Sequence, residues 1–201
     1  MSQGNGRFCH PPMGQIEVIS GPMFSAKTEE LIRRLVKCLI AKQHVQVFKP
    51  RIDNRDDGVF KKDHISSRSG YSQPATLIKH SSELLDLADA GVEVIGVDEA
   101  QFLDNDLAIN CDKLANKGIR VIVAGLDTDY LGNPFGPLPG LLCRAEVVDK
   151  MWAVCVRCSQ PASKTYRKVA CADYLVVGDS DIYEARCRSC WEVPPEPPPS
   201  S

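Results

Sequence analysis

Apolar and polar positions change period several times along the chain, and each change predicts an element. Residues 15–20 contain Ile16, Val18 and Ile19 and predict a short strand. In TEELIRRLVKCLIAKQ the apolar residues fall at 31, 32, 35, 36, 39 and 40, the spacing of one helix face. HVQVFKP predicts the next strand, closed by Pro50. The stretch RIDNRDDGVFKKDHISSRSGYSQPA is polar, carries little periodicity and is expected to be a solvated loop. SSELLDLADAG predicts a helix capped by Ser81 or Ser82 and stopped at Gly91. VEVIGVDEAQF predicts a buried strand ending in acids, LAINCDKLANKG a helix, and IRVIVAGLDTDY another apolar strand. Nearly all-apolar strands separated by helices imply a parallel sheet covered on both faces. The expected fold is therefore α/β, a parallel sheet with helices on both faces.

From about residue 151 cysteine, arginine and short β-like runs replace the alternation. This suggests a loose arm at 1–13, an α/β domain at 14–150, a small cysteine-rich domain at 151–192 and a proline-rich tail at 193–201. The 201 residues, 43% hydrophobic, suffice for one ordinary core and a small appendage. A net charge of −2 argues against a general nucleic-acid binder. With no bilayer-length apolar run and no leader pattern, the protein is expected to be soluble and cytoplasmic. Its nine cysteines are then expected to be reduced thiols.

The chemistry concentrates at GPMFSAKTEE, between the first strand and the first helix. Gly21, Lys27 and Thr28 fit the phosphate-binding pattern G-x-x-x-x-G-K-[ST], in which backbone N–H groups and a helix N-terminus cradle anions. Lys27 would reach the outer phosphates and the Thr28 hydroxyl would serve Mg²⁺. Ala26 stands in place of the second glycine. If that position needs positive φ, its Cβ costs about 1–2 kcal/mol; with an ordinary backbone it costs almost nothing. Asp98 ends an apolar strand, as the magnesium-binding aspartate of such proteins does. Glu99 beside it is placed to accept a proton from an attacking hydroxyl.

Two CxxC pairs follow, Cys155/Cys158 and Cys187/Cys190, which together can offer four thiolates to Zn²⁺. The 28 residues between them exceed the roughly 15–20 of the usual signature, so a long loop must leave the ribbon. Cysteines 9, 38, 111, 143 and 171 are expected to be incidental thiols.

Taken together, GPMFSAKTEELIRR, VIGVDEAQF, GLDTDYLGNPFG, CVRC and VVGDSDIYEARCRSC resemble the zinc-containing, cytosolic-type thymidine kinases, over about residues 14 to 191. The resemblance implies transfer of the γ-phosphate of ATP to the 5′-hydroxyl of thymidine, with Mg²⁺. It implies ATP contacts from Gly21, Pro22, Met23, Phe24, Ser25, Ala26, Lys27, Thr28, Asp53, Arg55, Asp98, Glu99, Ala100 and Gln101. Asp98 and Thr28 would hold magnesium, and Glu99 would be the base. Met23, Phe102, Leu126, Tyr130, Phe135, Thr165, Val176, Gly178 and Tyr183 would line the thymidine site, the last four from a lasso that closes over the base. The four paired cysteines would ligate zinc. A homotetramer and feedback inhibition by thymidine triphosphate are also implied. Two residues depart from the family pattern: Ala26, normally Gly, and Tyr130, often Phe. Two rival readings are a nucleotide-binding regulator that Ala26 has slowed or silenced, and a kinase for another deoxynucleoside. Nothing in composition or spacing selects thymine.

Overall fold

The computed structural model describes residues 14–51, 64–66, 72–169, 176 and 178–193. Its centre is a six-stranded, all-parallel sheet. In chain order its strands are β1 (Gln15–Ser20), β2 (Val45–Pro50), β5 (Thr76–Ile78), β6 (Val94–Val97), β7 (Arg120–Gly125) and β8 (Val147–Lys150). Across the sheet they run β5-β2-β6-β7-β1-β8. In the central strands β6, β7 and β1 side chains alternate between two buried faces, which is why these are apolar almost throughout, while the edge strand β8 is largely exposed. On β7, Val121 and Val123 enter one core, while Ile122 and Ala124 enter the other.

Helix α1 (Lys27–Ile40) covers one face through Leu31, Ile32, Leu35 and Cys38. Leu39 and Ile40, expected on the buried stripe, are exposed where the helix runs past the sheet. Ionic contacts fix the helix in place. Arg34 reaches Glu17 on β1 at 2.8 Å, Glu30 at 2.8 Å and Asp149 on β8 at 2.5 Å. Burial raises the Glu17 carboxyl, but Arg120 and Arg34 outweigh it and leave the group below its usual range. The opposite face is covered by α2 (Glu83–Leu87), α3 (Leu107–Ala115) and α4 (Leu138–Arg144).

Four expectations need correction. Within the segment expected to be a solvated loop, His64–Ser66 (β3) pairs antiparallel with Ser72–Pro74 (β4), and Ile65 is buried in the α1-side core. Strand β5 was likewise hidden, being only three residues long. Helix α2 spans five residues and ends at Leu87, short of the expected stop at Gly91; Ser82 stands at its N-cap, but no serine side chain caps it. Instead, Glu83 accepts the Lys79 and His80 N–H groups, while the Ser81 hydroxyl donates to Asp104 at 2.6 Å. The pattern also missed α4, because LPGLLCR holds both a helix-breaking proline and a glycine.

After β8 come short antiparallel pairs, β9 (Ala153–Val154) with β10 (Pro161–Ala162), and β11 (Lys164–Arg167) with β12 (Tyr183–Arg186). Among the described residues their core holds Ala153, Cys155, Ala162, Ala185 and Cys187, with Phe24 and Cys190 packed against it.

Candidate functional site

Three neighbouring strands, β6, β7 and β1, end at one edge of the sheet and deliver the candidate groups together. From β1 the chain enters the loop at 21–26. Gly21 sits at φ 145, and a Cβ there would collide with the Met151 carbonyl. The loop is tied to itself through the Pro22 carbonyl, which accepts from the Ser25 hydroxyl at 2.8 Å and from Lys27 Nζ at 2.7 Å. Ala26 is the residue before α1, at φ 61 and ψ 30, and no side chain caps the helix. The position therefore has the left-handed backbone that favours glycine, and the methyl group carries a steric cost. The uncapped first turn leaves N–H groups without helical acceptors at the positive end of the dipole, an arrangement suited to an anion.

From β6 come the acids. Thr28 Oγ1 donates to Asp98, lying 3.0 Å from Oδ2 and 3.2 Å from Oδ1. Burial pushes the Asp98 carboxyl up to about 7, the Glu99 charge adds to this, and the Thr28 hydrogen bond and Lys27 oppose it. Lys27 lies below the usual lysine range through desolvation, against the opposing pull of Glu99, Asp98 and Asp127. The lysine and the acids thus share one field. Glu99 has a left-handed backbone at φ 51, opening a 3-10 turn over Ala100–Phe102.

The Glu99 carboxylate accepts from Gln101 Nε2 at 2.6 Å, and Gln101 Oε1 accepts the Leu126 N–H at 3.0 Å. Gln101 is buried, and Gly136, at φ 50, lies so close to its carbonyl that a Cβ would clash. The side chain thereby links the acid at the end of β6 to the wall beyond β7. Ala100 is buried in the core on the α3 side, so only its backbone is left for a ligand.

Around Leu126 the Phe102 and Phe135 rings meet edge to face, with centroids 5.7 Å apart. The Arg167 guanidinium lies 3.8 Å from the centre of the Tyr130 ring. Tyr183 donates its hydroxyl to the Val176 carbonyl at 2.7 Å. Buried Thr165 holds two regions together: its hydroxyl accepts the Met23 N–H at 3.0 Å, and its carbonyl accepts Trp191 Nε1 at 3.0 Å. Gly178 packs against Ile182. Asp53 and Arg55 lie outside the described residues, as do Cys9 and Cys171.

The sequence reading missed Asp127, whose buried carboxylate meets Lys150 Nζ at 2.8 Å but accepts no hydrogen bond of good geometry. Its position just past the end of an apolar strand, the same signal used for Asp98, could have revealed it. Nothing local marked Arg167, because its partner is 37 residues away.

Cys155, Cys158, Cys187 and Cys190 place their sulfurs within 4.8 Å of one another, with Cys158 and Cys187 at 3.6 Å. Four sulfurs about 2.3 Å from a tetrahedral zinc are about 3.8 Å apart, so the set fits the metal. Burial raises the Cys155 thiol, but surrounding N–H groups outweigh it and bring it down to about 6. Cys190 is pushed up to about 12, first by its contact with Cys158: four clustered thiols cannot all ionise without a cation.

Fold and site define a parallel-sheet α/β protein that gathers a loop–helix junction and paired acids at one sheet edge, with a zinc-competent cysteine cluster beside them. A family model described as thymidine kinase matches residues 14–191. The chain belongs to the thymidine kinase family, whose reaction is phosphorylation of a nucleoside. Among the described residues no helix is long and apolar enough to cross a membrane.

Proposed function

We propose that the protein transfers the γ-phosphate of ATP to the 5′-hydroxyl of thymidine, and that deoxyuridine is accepted as well. The observation that carries this reading is the Thr28–Asp98 hydrogen bond beside Glu99, in the field of Lys27. A hydroxyl and a carboxylate in contact at the start of α1 suit a shared Mg²⁺, which when bound neutralises charge on the phosphate oxygens. The loop N–H groups and Lys27 hold the triphosphate. Glu99 takes the proton of the 5′-hydroxyl as its oxygen bonds to the γ-phosphorus, and the bond to the bridging β-oxygen breaks. ADP leaves, and a nucleoside monophosphate remains. Gln101 keeps the carboxylate aimed by holding one of its oxygens.

The base would stack near Phe102 and Phe135, bounded by Leu126, Tyr130 and Tyr183, with backbone groups of Val176 and Gly178 above it. The four cysteines would hold a structural zinc, and residues 151–192 would act as a lasso domain on the α/β domain at 14–150. A cytoplasmic homotetramer inhibited by thymidine triphosphate completes the reading.

Purified protein with ATP and Mg²⁺ is offered each deoxynucleoside in turn, and monophosphate is measured. Thymidine and deoxyuridine are expected to be converted. Conversion of deoxycytidine or a purine deoxynucleoside in preference to thymidine overturns the assigned specificity, and no turnover with tight ATP binding marks a silenced regulator.

A further inference from the structure

The Phe24 ring has no role in the chemistry just described, which uses only backbone groups of this loop, yet the residue's conformation is one of the least favourable there. Its backbone sits at φ 66, which for a residue bearing a side chain reduces the population roughly five- to thirtyfold. Such a conformation persists only where its surroundings over-determine it. Beside the loop's own ties to the Pro22 carbonyl, the surroundings come from beyond residue 150. The Phe24 ring packs against the core of Ala153, Cys155, Ala162, Ala185 and Cys187. The neighbouring Met23 N–H is held by Thr165 at 3.0 Å. At the root of the loop, the Met151 N–H donates to the Ser20 carbonyl at 2.7 Å, and the Met151 carbonyl lies against Gly21. Two of the five residues in the core that anchors Phe24 are cysteines of the metal-competent cluster, and the other three are alanines. A core this small keeps its shape through a metal rather than through apolar burial.

We propose that Phe24 is a positioning residue through which occupancy of the four-cysteine site sets the affinity of the phosphate loop for ATP. Zinc and ATP then bind with positive coupling. Whatever factor zinc contributes to ATP affinity, ATP contributes to zinc affinity. The inference rests on the phosphate-loop and zinc readings above.

The test uses full-length protein. ATP affinity is measured by calorimetry in the zinc-loaded form and after removal of zinc with a zinc-selective chelator. Zinc release to the same chelator is timed with and without saturating ATP. Removing zinc is expected to weaken ATP binding about five- to thirtyfold, and ATP is expected to slow zinc release. Zinc-loaded Phe24→Ala keeps its metal content but loses ATP affinity by a similar factor, and ATP no longer slows its zinc release. Phe24→Leu, which retains an apolar contact, restores most of both effects. A role in folding alone would not abolish the effect of ATP on zinc release. Equal ATP affinity with and without zinc overturns the coupling, and full coupling in Phe24→Ala removes Phe24 from it. Zinc-loaded wild type that binds no ATP instead overturns the phosphate-loop reading, and a protein that never acquires zinc overturns the metal reading.

Discussion

Replacing Ala26 by glycine should stabilise the protein, although glycine loses more chain entropy on folding than any other residue. Ala26 holds φ 61 and ψ 30, where its methyl crowds the backbone. Relief of that crowding is worth about 1–2 kcal/mol. The greater freedom of glycine in the unfolded chain takes back about 0.5–1 kcal/mol. The difference is a gain of roughly 0–1.5 kcal/mol, or about 0–6 °C in Tm for a chain of this size. Ala26 is exposed, so no packing term confuses the comparison. Ala26→Val brings a branched Cβ to the same backbone and should lose more than 1 kcal/mol. The assay is denaturant unfolding of the three forms, scored by midpoint at constant m-value. Under the proposed function the same loop conformation serves phosphate binding, so the glycine form should also bind ATP more tightly, by no more than about 30-fold. A glycine form less stable than Ala26, together with a valine form equal to it, would refute the left-handed conformation and the strain assigned to it.

Three further outcomes are expected. Glu99→Gln should retain ATP and thymidine affinity within a few-fold while kcat falls about 10²–10⁴-fold; near-normal kcat would remove Glu99 from the role of base. Asp98 is raised in the folded state to about 7 from an unfolded value of 3.8, so between those values the folded form binds more protons. Its contribution therefore makes the magnesium-free protein less stable as pH rises from about 4 to about 7, by at most about 1.4 kcal/mol per pH unit. Asp98→Asn should flatten that slope, and an unchanged profile in urea melts would contradict the assigned burial. Metal analysis should find about one zinc per chain, and chelation should raise the reactive thiol count by four of the nine cysteines. Equal counts before and after chelation would dissolve the cluster.

Much of the fold was legible because the principal strands are buried on both faces and the first helix on one, so burial alone wrote their periods. Strands β1, β2, β6 and β7 and helices α1 and α3 were visible for that reason. The elements that escaped have fewer residues or weaker stripes: β3, β4 and β5 are three residues each. At the site, the grouping of sequence neighbours was readable, as with Lys27 and Thr28 in the loop or Asp98 and Glu99 at a strand end. Contacts made by chain crossing were not. Phe24 against the cysteine core, Met23 to Thr165 and Arg167 on Tyr130 join residues whose proximity exists only after folding. The shape of the backbone at Ala26 also required coordinates, since the same letters fit both a strained and a relaxed turn.

Gln101 carries a constraint on how this scaffold can diversify. One amide grips the Glu99 carboxylate with its nitrogen and the Leu126 N–H with its oxygen. Under the proposed function, enlarging the base chamber by moving Leu126 therefore drags the proton acceptor off line. New base preferences are then easier to reach by rewriting the other side chains around that chamber than by reshaping the sheet edge.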